Sequence, residues 1–214
     1  MNETKLKLLQ VEVLVVFMWL VLPSLVVQLV HRVSSAPTVM TDLSRAASSI
    51  GESAMILYLM WRSDQALKSF GFRFELSWSL FVLSAALFLA CLAIIAAENR
   101  MLLLPVPTLA AFTRRGLYRS TSAIIAITLA AASEEFAFRS YFITRLEEVL
   151  PKRNFAVPVS AAMFGALHLF RGPAAFVGAT VMGLVFGAAF VKSRSIVPLV
   201  MAHSIYNLWL SFSI

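Results

Sequence analysis

The sequence predicts an all-α, polytopic membrane protein with about seven to eight transmembrane helices. Mean hydropathy is +0.84, and 60% of the residues are hydrophobic against 14% charged, too apolar and too poor in charge for a soluble domain of ordinary make-up. The apolar residues also fall into separate runs, each near the length that crosses a bilayer. A crossing needs roughly 20 apolar residues, so at most about eight fit in one compact helical domain of this size.

The first run, Val11 to Val30, is long for the core of a cleavable signal and has no clean small-residue site close behind it, so it is expected as a retained span over 9–30, kinked at Pro23. The run at 43–61 is diluted by Ser48, Ser49, Gly51 and Glu52 and is expected to be amphipathic or partly interfacial. Further spans are expected at 77–97, 120–144, 155–170, 172–191 and 195–213, each rich in Leu, Val, Ala and Phe. Charged or turn-forming stretches punctuate them, among them Arg114-Arg115-Gly116, Pro151 to Asn154 and Lys192 to Arg194. Met101 to Phe112, with Pro105 and Pro107, reads as a linker at the membrane surface. It separates an N-terminal helical part, 1–117, from a C-terminal part, 118–214, that holds the chemistry.

Net charge is +7, yet Lys and Arg stand singly or in pairs between apolar runs. They read as topology and headgroup anchors and not as a nucleic-acid-binding stripe. An N-inside arrangement of seven spans leaves a modest excess of them on the cytoplasmic side. Cys91 is the only cysteine, which excludes an intramolecular disulfide and a cysteine metal cage. Glu12, Glu52 and Glu98 lie near span ends or in a dilute span and are expected to snorkel or to make helix-end contacts.

The informative polar residues follow Tyr118. Glu134, Glu135 and Arg139 come after the apolar run Ser122 to Ala132, which places them inside a membrane helix or near its end. Each charge at the bilayer centre costs about 2.5–3.5 kcal/mol on insertion scales, so three of them require partners. Glu135 and Arg139 are four apart and share a helix face, with the acid N-terminal to the base. Glu134 points about 100° away and remains free to act as a base. Phe164 and His168 are likewise four apart in an otherwise apolar run, and an imidazole there can pass a proton near neutral pH. His203 and Asn207 repeat the spacing in the last run, where two hydrogen-bonding groups on one face can stabilise an oxyanion. Taken singly, each constellation also reads as interfacial charge or interhelical hydrogen bonding. Together they supply what peptide hydrolysis needs, an activated water and a stabilised tetrahedral oxygen.

Glu-Glu-x-x-x-Arg, Phe-x-x-x-His and His-x-x-x-Asn, in that order, resemble the pattern of the CAAX protease and bacteriocin-processing family, also called the Abi family. The resemblance covers roughly 118–214. It implies a helical fold with a conical, water-filled cavity, a water activated by Glu134 with His168, an oxyanion stabilised by His203 and Asn207, and a site ordered by Glu135 and Arg139, with Phe164 beside them. The implied substrate is a hydrophobic or membrane-anchored peptide or protein, and neither cofactor nor metal is expected. The chain is shorter than the prenyl-protein enzymes of that family, which points to a prokaryotic-type member in the plasma membrane.

Three other readings compete. A zinc protease could draw on Glu134, His168 and His203, although no His-Glu-x-x-His occurs and no acidic partner for either histidine is evident. A proton-coupled transporter predicts repeated or broken helices, and no such symmetry is present. An immunity protein that binds a peptide without cutting it would use the same cavity. A serine protease is disfavoured because Ser133, Ser160 and Ser204 lack a Gly-x-Ser-x-Gly-like setting.

Overall fold

The computed structural model describes residues 2–33, 39–63, 65–73, 77–101 and 121–213, and among these there are helices and no strand. Seven helices succeed one another: α1 Glu3–Val33, α2 Val39–Arg62, α3 Trp78–Met101, α4 Thr121–Val149, α5 Ala156–Ala166, α6 Pro173–Ser193 and α7 Val197–Ser213. Every expected apolar run coincides with one of them. Three, at Trp78–Arg100, Thr121–Val149 and Pro173–Ser193, are long and apolar enough to cross a membrane by themselves. The protein is an integral membrane protein.

The run expected as a span over 155–170 is shorter than its hydropathy suggested. With 11 residues, α5 rises about 16 Å, roughly half of a hydrocarbon core. Beyond it the chain tightens into the 3-10 turn Leu169–Arg171. Gly172 then takes φ +116°, open to glycine and strained for other residues, and Pro173 begins α6. The surface linker expected after Met101, with Pro105 and Pro107, lies outside the described residues.

The centre of the bundle is α4. Residues 137–146 are buried without interruption, so this stretch meets protein on all sides. An even α-helix expected through Glu134 and Arg139 is not what forms: the backbone is α-helical to Glu135, π-helical over Phe136–Ile143, and α-helical again over Thr144–Val149. Wider π turns are rare and recur at functional sites. Ser160 Oγ of α5 donates to the Phe138 carbonyl at 2.5 Å, adding a donor at the widened stretch. The hydroxyl of Ser140 donates to the Phe70 carbonyl, and Phe70 is the fully buried end of the turn Leu67–Phe70 that joins α2 to α3.

Helices α2 and α4 run parallel in a fixed register. Ser122 Oγ donates to Asp42 Oδ2 at 3.2 Å, Ser133 Oγ to Glu52 Oε2 at 2.8 Å, and Ser140 Oγ lies 3.9 Å from Met60 Sδ. The sequence separations are 80, 81 and 80. Asp42 and Glu52 therefore face α4, and Ser49 is buried like Asp42, whereas Ser48 and Gly51 are exposed. Glu12 also turns inward, accepting from Tyr141 Oη at 2.6 Å and lying 3.9 Å from Arg145 Nε. Glu98 is half-buried against α6, where a Cβ on Gly178 would come within 2.6 Å of its Oε2. The snorkelling expected of these three acids is thus replaced by tertiary contacts. Hydropathy reports the depth of a residue along a span and not which neighbour it faces.

Helices α5 and α6 approach at glycines. A Cβ on Gly183 would stand 2.8 Å from Ala161 Cα, and one on Gly187 would stand 2.7 Å from a Val157 methyl. Small residues permit this backbone approach, and in lipid close packing is a main source of helix association. Gly183→Ala is expected to cost about 1–3 kcal/mol because the neighbouring backbone must shift. Gly51→Ala, which meets nothing within 4 Å, is expected to stabilise by about 0.4–1 kcal/mol. Thermal unfolding of the two variants in detergent checks the contrast.

Candidate active site

The α-to-π junction of α4 presents Glu134 and Glu135 to different surroundings. The Glu135 side chain is 0% exposed and that of Arg139 1%, with Nη1 3.2 Å from Oε1. Although this contact is close enough for an ion pair, its alignment is too poor for a hydrogen bond. Arg139 Nη1 and Nη2 and Glu135 Oε2 consequently remain buried with no hydrogen-bond partner among the described residues. Aromatic faces supply the rest of the cation's environment, with Arg139 Cζ 4.3 Å from the Phe164 ring centre and 5.4 Å from that of Phe186.

Glu135 Oε1 is shared, because His203 Nδ1 of α7 lies 2.7 Å from it. A carboxylate accepts only, so Nδ1 carries the proton of this bond. His203 Nε2 then faces Glu134, whose Oε2 is 3.6 Å away and whose side chain is 29% exposed. That distance is too long for a direct hydrogen bond, yet an oxygen placed about 2.8 Å from each atom would touch both. Phe164 and Phe186 meet the imidazole edge-on, at centroid distances of 6.2 and 6.0 Å, and limit its rotation.

His168 sits where α5 tightens into its 3-10 turn. Its Nδ1 is 3.2 Å from the Phe164 carbonyl, which in the neutral ring leaves Nε2 as an acceptor. The ring packs against Phe164 at 5.0 Å and lies within electrostatic reach of Glu134 and His203. Asn207, one turn beyond His203 on α7, is half-buried, and its carboxamide bonds to no described residue.

Of the residues singled out in the sequence, Glu134, Glu135, Arg139, Phe164 and His203 form one contacting cluster drawn from α4, α5 and α7. No direct bond joins Glu134 to His168. The acidic partner of His203 that sequence reasoning did not find is Glu135. Phe186 was missed as well, as was Glu52, which reaches the cluster through Ser133. A usable signal for Glu52 existed: Asp42, Ser49 and Glu52 are spaced seven and three apart and so line one helix face. Among the described residues, no group of three or more His, Cys, Asp or Glu side chains is arranged to hold a metal ion.

Residues 117–209 match the family model described as Rce1-like, type II CAAX prenyl endopeptidase. No curated protein and no solved structure matches the chain. The matched segment contains Glu134, Glu135, Arg139, Phe164, His168, His203 and Asn207 and excludes α1, α2 and α3. Over residues 117–209 the chain is therefore similar to the Rce1-like family of CAAX-type endopeptidases, a likeness that supports a membrane protease.

Proposed function

We propose that this protein is a glutamate-dependent intramembrane endopeptidase that hydrolyses a peptide bond near the terminus of a hydrophobic or membrane-anchored substrate. The observation that carries the reading is the partly open Glu134 carboxylate, 3.6 Å from an imidazole nitrogen that a buried acid orients from behind. In the proposed reaction, Glu134 with His168 holds a water and Glu134 takes its proton as the oxygen attacks the scissile carbonyl. Asn207 donates its amide N–H to the oxygen that becomes negative, and His203 joins it through Nε2–H as an imidazolium, its Nδ1–H being held by Glu135. Collapse of the tetrahedral species breaks the carbon–nitrogen bond, and Glu134 returns the proton to the leaving amine. Glu135, Arg139 and Phe164 fix the rings and the helix junction without touching the substrate. No cofactor or metal takes part in this scheme.

The proposal includes about seven to eight spans, an N-terminal part over 1–117 that frames a catalytic core over 118–214, and residence in a prokaryotic plasma membrane. Detergent-purified protein incubated with a quenched peptide library tests it. Cleavage that survives a chelator and disappears in Glu134→Gln supports the glutamate mechanism. Chelator-sensitive cleavage, or cleavage unchanged in the variant, overturns it, and wild-type protein that binds peptides without cutting them reassigns it as a binding protein.

A further inference from the structure

Ser133, Glu134 and Glu135 are consecutive, and the outer two are anchored while the middle one is open. Ser133 is buried and donates to Glu52 Oε2 of α2 at 2.8 Å. Glu135 is buried and held by His203 at 2.7 Å and Arg139 at 3.2 Å. Between them Glu134 has no direct hydrogen bond to a described residue and takes its position from the backbone that its neighbours pin. One residue after Glu135 the helix widens into its π stretch at Phe136, where rotation about the helix axis is least restrained by regular α hydrogen bonding. A clamp on the α side of that junction therefore sets the direction in which Glu134 projects. Glu52 supplies the clamp from a helix outside the matched family segment.

We infer that Glu52 is a positioning residue for Glu134, acting through the Ser133 hydroxyl, so that the N-terminal half of the chain completes the active site as well as enclosing it. The inference rests on the endopeptidase reading. Its chemistry is that of an acceptor: Glu52 receives the Ser133 hydroxyl proton and neither touches the substrate nor exchanges protons with the water. An amide oxygen can accept the same bond, so Glu52→Gln keeps the clamp whereas Glu52→Ala removes it. Displacing a catalytic group by a fraction of an ångström to an ångström costs up to about a hundredfold in rate.

The test is steady-state cleavage of the best peptide from the library by wild type, Glu52→Ala, Glu52→Gln, Ser133→Ala and the double alanine variant, with thermal midpoints measured in parallel. Glu52→Ala and Ser133→Ala are each expected to lower kcat by about ten- to a hundredfold with KM changed less than about threefold. Glu52→Gln is expected to recover most of the rate, and the double variant to be no slower than either single one, because both remove one bond. Wild-type rates in Glu52→Ala, additive losses, or a loss of thermal stability with kcat intact would overturn the inference while leaving the endopeptidase reading in place. An inactive wild type would overturn that reading and this inference with it.

Discussion

Glu134→Gln is expected to lower kcat by about 10²- to 10⁴-fold while KM stays within a few-fold of the wild-type value. The carboxamide has nearly the shape of the carboxylate, and the anchors on either side, Ser133 to Glu52 and Glu135 to His203, remain in place. What disappears is the capacity to take a proton from water. Because Glu134 is partly exposed and makes no direct hydrogen bond to a described residue, the substitution leaves no buried group without a partner, and the thermal midpoint should move little. A loss confined to kcat marks an interaction made in the transition state. Adding His168→Ala to this variant should then change the rate far less than His168→Ala does alone, because the two side chains are proposed to act on one water. Single-turnover cleavage alongside steady-state rates checks both expectations.

The second large effect is on stability. Arg139→Met is expected to destabilise the folded protein by about 3–5 kcal/mol, since removing one partner of a buried pair leaves the other charge uncompensated. Methionine retains much of the packing between Phe164 and Phe186, so cation–π contacts account for only about 0.5–2 kcal/mol of the loss. The remaining Glu135 keeps its 2.7 Å contact with His203, which places the expected value at the lower end of that range. Converting the acid as well, as Glu135→Gln with Arg139→Met, should recover part of the stability because no unpaired charge is left inside. Unfolding of the single and double variants in mixed micelles measures the difference. A single variant as stable as the double would show that the charge, and not the packing, is dispensable.

Helix positions were largely legible in the sequence, because apolar run length is a direct consequence of bilayer thickness. The polar residues of the expected spans at 120–144, 155–170 and 195–213 were also recognisable as a set, since charge inside an apolar run demands a partner. What could not be read was how the helices meet. Nothing in the Glu134 to Ile143 segment announces π geometry, which depends on how Ser160, Phe164 and Phe70 pack around it. The family resemblance implied Glu134 and His168 on one water; what it did not convey is that the nearest imidazole nitrogen to Glu134 belongs to His203, whose position is set by Glu135. Glu12 and Glu52 were expected to snorkel or to make helix-end contacts because they lie near a span end or in a dilute span, and that placement carries no information about a tyrosine or serine on α4.

The unbroken burial of residues 137–146 also bears on how the protein is made. Mean hydropathy of the best window in α4 is 1.3, against 2.8 for α3 and 2.1 for α6, and Glu134, Glu135, Arg139 and Arg145 all lie on this helix. Standing alone in lipid, such a segment carries the insertion penalty of several charges, about 2.5–3.5 kcal/mol for each one near the midplane. The partners that other helices supply for those charges come from α1, which is synthesised earlier, and from α7, which is synthesised later. The helix is long and apolar enough to span, yet its charges are matched across helices only when segments from both sides of it in the chain have assembled around it. The candidate catalytic cluster is accordingly complete only once α7, which follows α4 and α5 in the chain, has joined them.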